Sequence, residues 1–302
     1  MNRSPGPLMQ IHPRRSVLYM PGSNARALEK AKTLPTDALI LDLEDAVAPD
    51  AKALAREQVA AAVKAKGFGP REVIIRINGL DTPWGADDLK AAAAAVPDAI
   101  LVPKVSAAAD LIGVGNRLVD LHAQPSVSLW AMIETPVAIL KLGEIAAEAR
   151  DALAALKVLV MGTNDLARET RARIVPGRLP MLGYLSLAVA AARAYGLDIL
   201  DGVYNDIGDA AGFASECAAG RDLGFDGKTL IHPSQIEPCN AAFSPSAAEV
   251  EQARKIVAAF ELPENRDKGA ISLDGRMVER LHAQIARRTV ALSDAIAARA
   301  GG

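Results

Sequence analysis

Aromatic residues make up only 4% of this 302-residue chain, so its core has to be built from aliphatic side chains. Cysteine occurs twice, at Cys217 and Cys239, and histidine four times. That excludes a disulfide-stapled scaffold and leaves no Cys–His cluster for zinc; two thiols in a chain of this length are expected to stay reduced. The formal net charge is only −2, with both signs interspersed, which excludes a basic nucleic-acid face or a polybasic membrane anchor. No apolar run reaches bilayer-spanning length, and Met1 to Pro13, polar and proline-bearing, is expected to be a loose arm rather than a signal peptide. The expected setting is the cytoplasm, with small molecules rather than nucleic acid or membrane as partners.

What is present is alternation. Short apolar, β-branched runs recur at Ser16–Met20, Ala38–Leu43, Glu72–Ile77, Ala99–Val102, Val127–Ile133, Lys157–Met161, Asp198–Val203 and Lys228–Ile231. Between them lie stretches with apolar residues at three- and four-residue steps: Arg26–Lys32, Pro49–Lys66, Ala86–Ala95, Ala107–Leu121, Pro136–Leu156, Leu179–Tyr195, Asp209–Leu223 and Ser246–Phe260. Uniformly apolar strands alternating with helices indicate parallel β/α units. Eight of them predict an α/β fold of the closed (β/α)₈ TIM-barrel type, residues 14–261, ahead of an open doubly wound sheet. The polar stretch from Leu262 and a last helix, Gly275–Ala298, form a C-terminal helical extension over 262–302, a possible lid on this subunit's site or a neighbour's.

In such a barrel the chemistry gathers at the carboxyl ends of the strands. Those ends read Asp42-Leu-Glu44-Asp45, Arg76-Ile-Asn78, Pro103-Lys104, Glu134-Thr135, Gly162-Thr-Asn-Asp165, Asp201-Gly202 and His232-Pro233. Loops after strands are polar in any protein, and Asp42 or Asp206 alone would read as a helix cap. Together, however, carboxylates outnumber cations on one rim and would repel one another without a cation. Hard oxygen donors suit Mg²⁺ or Mn²⁺, and Mg²⁺ commonly takes one or two protein carboxylates. Glu134 and Asp165, ending adjacent strands, are the natural pair, with Glu44 and Asp45 holding water around the ion. Arg76, permanently charged, is placed to stabilise an enolate.

The ordered set Arg14-Arg-Ser-Val-Leu-Tyr-Met-Pro-Gly22, Asp42-Leu-Glu-Asp-Ala-Val47, Arg76-Ile-Asn-Gly-Leu-Asp-Thr-Pro-Trp84, Pro103-Lys104, Ile133-Glu-Thr135, Gly162-Thr-Asn-Asp165, Gly224-Phe-Asp-Gly-Lys-Thr-Leu-Ile-His-Pro-Ser-Gln235, Phe243-Ser-Pro-Ser246 and Leu273-Asp-Gly-Arg-Met-Val278 resembles the citrate lyase β-subunit/malyl-CoA lyase group of the HpcH/HpaI aldolase superfamily. The resemblance covers about residues 14 to 290. It implies a barrel assembled as a homotrimer or hexamer, Mg²⁺ on Glu134 and Asp165, and Arg76 against the substrate carboxylate or thioester oxygen. It also implies coenzyme A phosphates near Tyr19, Arg26 and Lys30. The implied reaction is carbon–carbon cleavage or condensation of a 3-hydroxyacyl-CoA such as malyl-, β-methylmalyl- or citramalyl-CoA, giving an acyl-CoA and an α-keto acid.

Two segments depart from the family pattern. Where coenzyme A lyases carry an aspartate in the tail as acid/base, this chain has Glu279, one methylene longer. After the metal aspartate, Asp-Leu-Gly is replaced by the basic stretch Leu166–Arg173. Competing readings are a citrate lyase β-subunit acting on a carrier-bound thioester, an aldolase needing no coenzyme A, and a non-catalytic binder of acyl-CoA or keto acids. The set Glu134, Asp165 and Arg76 argues against the last, because a binder has no need of a metal site.

Overall fold

A computed structural model describes residues 11–300. Most of the expected N-terminal arm lies outside the described residues. The strands are β1 (Ser16–Pro21), β2 (Ala38–Asp42), β3 (Glu72–Arg76), β4 (Ala99–Val102), β5 (Ser128–Ile133), β6 (Leu156–Met161), β7 (Asp198–Asp201) and β8 (Gly227–Leu230). They pair in parallel in chain order, and β1 closes on β8. This is the predicted closed barrel, with each strand end within about two residues of its expected place.

The helices are α1 (Ala25–Ala31), α2 (Lys52–Ala65), α3 (Gly85–Ala95), α4 (Ala108–Asp120), α5 (Pro136–Leu140), α6 (Leu142–Ala147), α7 (Thr163–Thr170), α8 (Leu182–Tyr195), α9 (Ala210–Leu223), α10 (Ile236–Phe243), α11 (Ala247–Glu261) and α12 (Arg280–Ala300). Their starts follow capping chemistry. The Asn24, Thr135 and Asp209 side chains accept the N–H groups of Ala27, Ala138 and Gly212. The stretch Pro136–Leu156, expected as one helix, is broken. Lys141 leaves the helical region between α5 and α6, and farther on the Asp151 carboxylate takes the N–H groups of Leu153 and Ala154, which ends the helical run.

The chain forms two compact units. The first, Arg14–Phe243, is the barrel, and the helix that follows β8 within it is α10. The second contains residues 11–13 and 244–300, and so holds α11, the helix expected as the barrel's eighth. In this unit the predicted helix from Gly275 is corrected. Ala270–Leu273 (β9) and Arg276–Glu279 (β10) form an antiparallel hairpin, and α12 begins only at Arg280. The turn is Asp274-Gly275, both with positive φ (51° and 75°), the two-residue connection whose twist matches a hairpin. Ile271 and Val278 pair across it and pack with Phe260 and Ala283.

Strand alternation sorts the barrel's side chains. Val17, Ala38, Ile40, Ile74, Ala99, Leu101, Trp130, Met132, Val158, Val160 and Leu200 fill the lumen, while the opposite faces pack under the helices. Arg14 plugs the amino-terminal end. It lies over the Trp130 ring, 5.3 Å from its centroid, and pairs with Glu72 (2.7 Å) and Asp198. At the other end the same alternation turns polar. Ile40 is followed two residues on by Asp42, Ile74 by Arg76, Met132 by Glu134 and Val160 by Gly162.

Candidate active site

The lumen opens at the carboxyl rim into a cavity of about 300 Å³. Tyr19, Asp42, Asp45, Arg76, Met132, Glu134, Gly162, Asn164 and Asp165 are among its lining residues. Glu134 and Asp165, from neighbouring strands, therefore face one space. Arg76 is buried, and its guanidinium lies on the Tyr19 ring, 4.8 Å from the centroid. Its Nε and Nη2 donate to the two oxygens of Asp42, each at 2.6 Å. Nη1 points toward Glu44 (3.0 Å), Asp45 (3.6 Å) and the Met132 sulfur (3.7 Å).

Glu134 is 2% exposed. Its Oε1 accepts the Lys104 backbone N–H at 2.7 Å, a bond presented by an unusual backbone, since Lys104 has φ 51°. Burial first, then the charges of Glu44 and Asp165, push the Glu134 carboxyl up to about 7. Gly162 packs so close that a side chain there would collide with the Glu134 carboxylate. Glu44 is also buried and pushed up, by burial first and then by Asp45. Its Oε1 takes the Lys104 ammonium at 3.2 Å, while Oε2 ion-pairs with Arg76 Nη1 at 3.0 Å. Asp165 sits at the start of α7 and pairs with Arg168 at 2.6 Å, an arginine whose side chain is 67% exposed. The basic stretch after Asp165 thus begins by neutralising it.

These features suit a divalent cation. Two carboxylates share a cavity, glycine leaves room beside them, and burial makes Glu134 reluctant to ionise unless a cation joins it. The donors are all oxygen. No group of three His, Cys, Asp or Glu that could hold a metal ion is found among the described residues.

Other expected residues stand elsewhere. Arg26 and Lys30 are exposed on α1, one turn apart, and do not line the cavity. Tyr19 does line it, under Arg76. Glu279 closes β10 in the second unit, where its backbone N–H donates to the His282 imidazole at 2.9 Å.

Two contributors escaped the sequence reading. Asp42, which the sequence places on the rim without a role, is the partner of Arg76; the two stand opposite each other in the β2–β3 register. Lys52 is buried and donates to the carbonyls of Leu43 and Glu44 and to Asn78 Oδ1, at 2.7–2.9 Å, so it clamps the loop that carries Glu44. Its signal was available: it occupies an apolar-face position of α2, in step with Ala55, Val59 and Val63.

A family model for the HpcH/HpaI aldolase/citrate lyase matches residues 15–233. The chain belongs to this family. A second model, for a carbon–carbon bond lyase of the TIM-barrel fold, matches residues 178–296. Members of the HpcH/HpaI family similar to this chain include the (3S)-malyl-CoA thioesterase of Cereibacter sphaeroides strain KD131, 53% identical over 96% of this chain and 98% of the relative. The citrate lyase subunit beta of Escherichia coli K12 is 35% identical over 88% of each. Among solved structures, Mycobacterium tuberculosis CitE in complex with magnesium, acetoacetate and coenzyme A is 28% identical. It superposes with a TM-score of 0.71 over 95% of this chain and 98% of that one. These relatives are lyases and CoA-ester-processing enzymes, and the chain is an enzyme of their family. No helix among the described residues is long and apolar enough to cross a membrane.

Proposed function

We propose that this protein is a Mg²⁺-assisted enzyme acting on the coenzyme A thioester of a small 3-hydroxy dicarboxylic acid of the malyl-CoA type, and that it hydrolyses the thioester. The observation that carries the reading is the cavity itself, which the Glu134 and Asp165 carboxylates share with the buried Arg76 guanidinium, whose Nη1 lies beside Glu44. The similarity at 53% identity to a malyl-CoA thioesterase supports hydrolysis, and the Mg²⁺ and coenzyme A complex of the M. tuberculosis relative supports the ion and the thioester.

In this reading Glu134 and Asp165 hold the ion, whose role is to bind and polarise the substrate's hydroxyl and carboxylate oxygens. Arg76 Nη1 donates to the thioester carbonyl oxygen and stabilises the negative charge that grows there. A water attacks the carbonyl carbon, its proton passes to Asp45 or Glu44, and the coenzyme A thiolate leaves. Glu44, whose Oε2 lies 3.0 Å from Arg76 Nη1, stands beside the donor that would hold the carbonyl oxygen. Arg26 and Lys30, exposed on α1, are proposed to meet the coenzyme A phosphates.

A second reading, carbon–carbon cleavage to an acyl-CoA and glyoxylate or pyruvate, is favoured by the family's lyases and by the citrate lyase relatives. It uses the same site, with Arg76 on the enolate oxygen and Glu279 as the acid that protonates the enolate carbon. One experiment separates the two. Purified protein with Mg²⁺ and (3S)-malyl-CoA is sampled for free coenzyme A thiol plus malate, and for acetyl-CoA plus glyoxylate. Malate and thiol are the expected products. Glyoxylate in stoichiometric yield would establish the lyase instead, and neither product would refute the malyl-CoA assignment.

A further inference from the structure

A guanidinium has five N–H groups, and recognition of a carboxylate by arginine normally uses two of them in parallel. In Arg76 the side-on fork, Nε with Nη2, is already closed. Nε and Nη2 both donate to Asp42, whose side chain is wholly buried and directly opposite in the strand register. The two Asp42 oxygens also accept the backbone N–H groups of Glu44 (2.9 Å) and Ala46 (3.0 Å). Four donors thus occupy this carboxylate. It sets the plane of the Arg76 guanidinium and, at the same time, the path of the loop that presents Glu44 and Asp45. The Tyr19 ring, against the face of the guanidinium, leaves Nη1 as the nitrogen directed at Glu44, Asp45 and Met132.

The Nη1 end that remains, a permanent charge already beside Glu44, is well matched to one oxygen whose charge grows during reaction. We propose that Asp42 is a positioning residue that holds the Nε/Nη2 side of Arg76, so that Arg76 meets the thioester oxygen through its Nη1 end and the substrate carboxylate is left to the Glu134–Asp165 side of the cavity. This rests on the malyl-CoA reading above. Asp42 then acts through Arg76, and its influence falls on turnover rather than on carboxylate binding.

The test is a double-variant cycle of Asp42→Asn, Arg76→Gln and the pair together, with kcat and KM measured on (3S)-malyl-CoA and with calorimetric binding of malate in the presence of Mg²⁺. Asp42→Asn is expected to lower kcat by about 100-fold, the scale of losing one oriented oxyanion donor. Malate affinity should stay within about threefold, and in the Arg76→Gln background the added Asp42→Asn should change kcat by less than about threefold, because the two act as a unit. If the lone Asp42→Asn leaves an unpaired arginine that prevents folding, the comparison of Arg76→Gln with the neutral pair still reads the coupling. Equal kcat losses in both backgrounds would overturn the proposal, and so would a fall in malate affinity with kcat preserved. A wild-type protein inert toward malyl-CoA would refute the functional reading itself; an active wild type with an additive cycle refutes only the role of Asp42.

Discussion

Two clusters of charge sit near the ends of barrel strands, and they are built to opposite ends. On the β7–β8 side, Asp201 and Glu216 face Arg178 and Lys228 at 2.7–3.4 Å, two carboxylates against two cations. Burial alone would push the Asp201 carboxyl up, but Lys228 and Arg178 together outweigh it and hold it below the ordinary range. Burial would likewise lower Lys228, and Asp201 with Glu216 raise it. On the β2–β6 side, Asp42, Glu44, Asp45 and Glu134 share the two cations Arg76 and Lys104. There the Glu134 carboxyl is driven up to about 7. The first cluster balances its charges two against two. The second keeps surplus negative charge in a cavity, an arrangement that stands ready for a cation and for the protons of a reaction.

The sharpest way to break this contrast is Glu134→Gln. Turnover should fall by at least about 10³-fold, roughly 4 kcal/mol of barrier, with Mg²⁺ binding lost in calorimetry and the fold kept by circular dichroism. Retained activity in chelator would end the metal assignment. Asp201→Asn probes the other side. It strands Lys228 and Arg178 and should cost about 3–5 kcal/mol of stability in denaturant titration, while Mg²⁺ affinity at the protein's surviving folded fraction is unchanged. Loss of metal affinity without loss of stability would erase the distinction between the clusters.

Titration gives a third handle. The Glu134 carboxyl is raised in the folded state from an ordinary 4.5 to about 7, so the folded protein binds the extra proton. Stability associated with that proton is fully present below pH 4.5 and is lost as pH rises through about 7, by roughly 3 kcal/mol in metal-free protein. Thermal melts across that window should show the decline, Glu134→Gln should flatten it, and Mg²⁺ should cancel it above pH 7, where binding no longer has to displace a proton. A metal-free protein equally stable at pH 5 and 8 would contradict the burial argument. The smallest effect is expected from Arg26→Ala with Lys30→Ala on α1: a KM for the coenzyme A ester raised a few-fold, at most about 1 kcal/mol, and weakening with salt, with kcat untouched. A KM indifferent to both substitutions would move the coenzyme A phosphates elsewhere.

The residues of the candidate site illustrate what is readable in a linear chain. Glu134, Asp165, Arg76, Glu44 and Asp45 were all locatable, because each follows an apolar strand run and the barrel collects such positions at one rim. Asp42 was visible on the rim but without a role. A carboxylate next to a loop looks like a cap until the β2–β3 register puts it across from Arg76. Lys104 was seen as a charged side chain, whereas its backbone N–H, in a left-handed conformation, is what holds Glu134. The hairpin at Asp274-Gly275 was missed although its turn dipeptide was in plain view, because the surrounding residues also fit a helical period.

The order of elements, the closed barrel and the acidic rim were determined by the sequence alone, since strand runs, helical periods and strand-end residues are local properties with periods of 2 and 3.6. Which carboxylate each nitrogen of Arg76 meets, how far Glu134 is pushed toward protonation, and which charged cluster balances itself were decided only by the tertiary structure. Those properties depend on distances and burial among side chains tens of residues apart, and electrostatic energies change steeply with both.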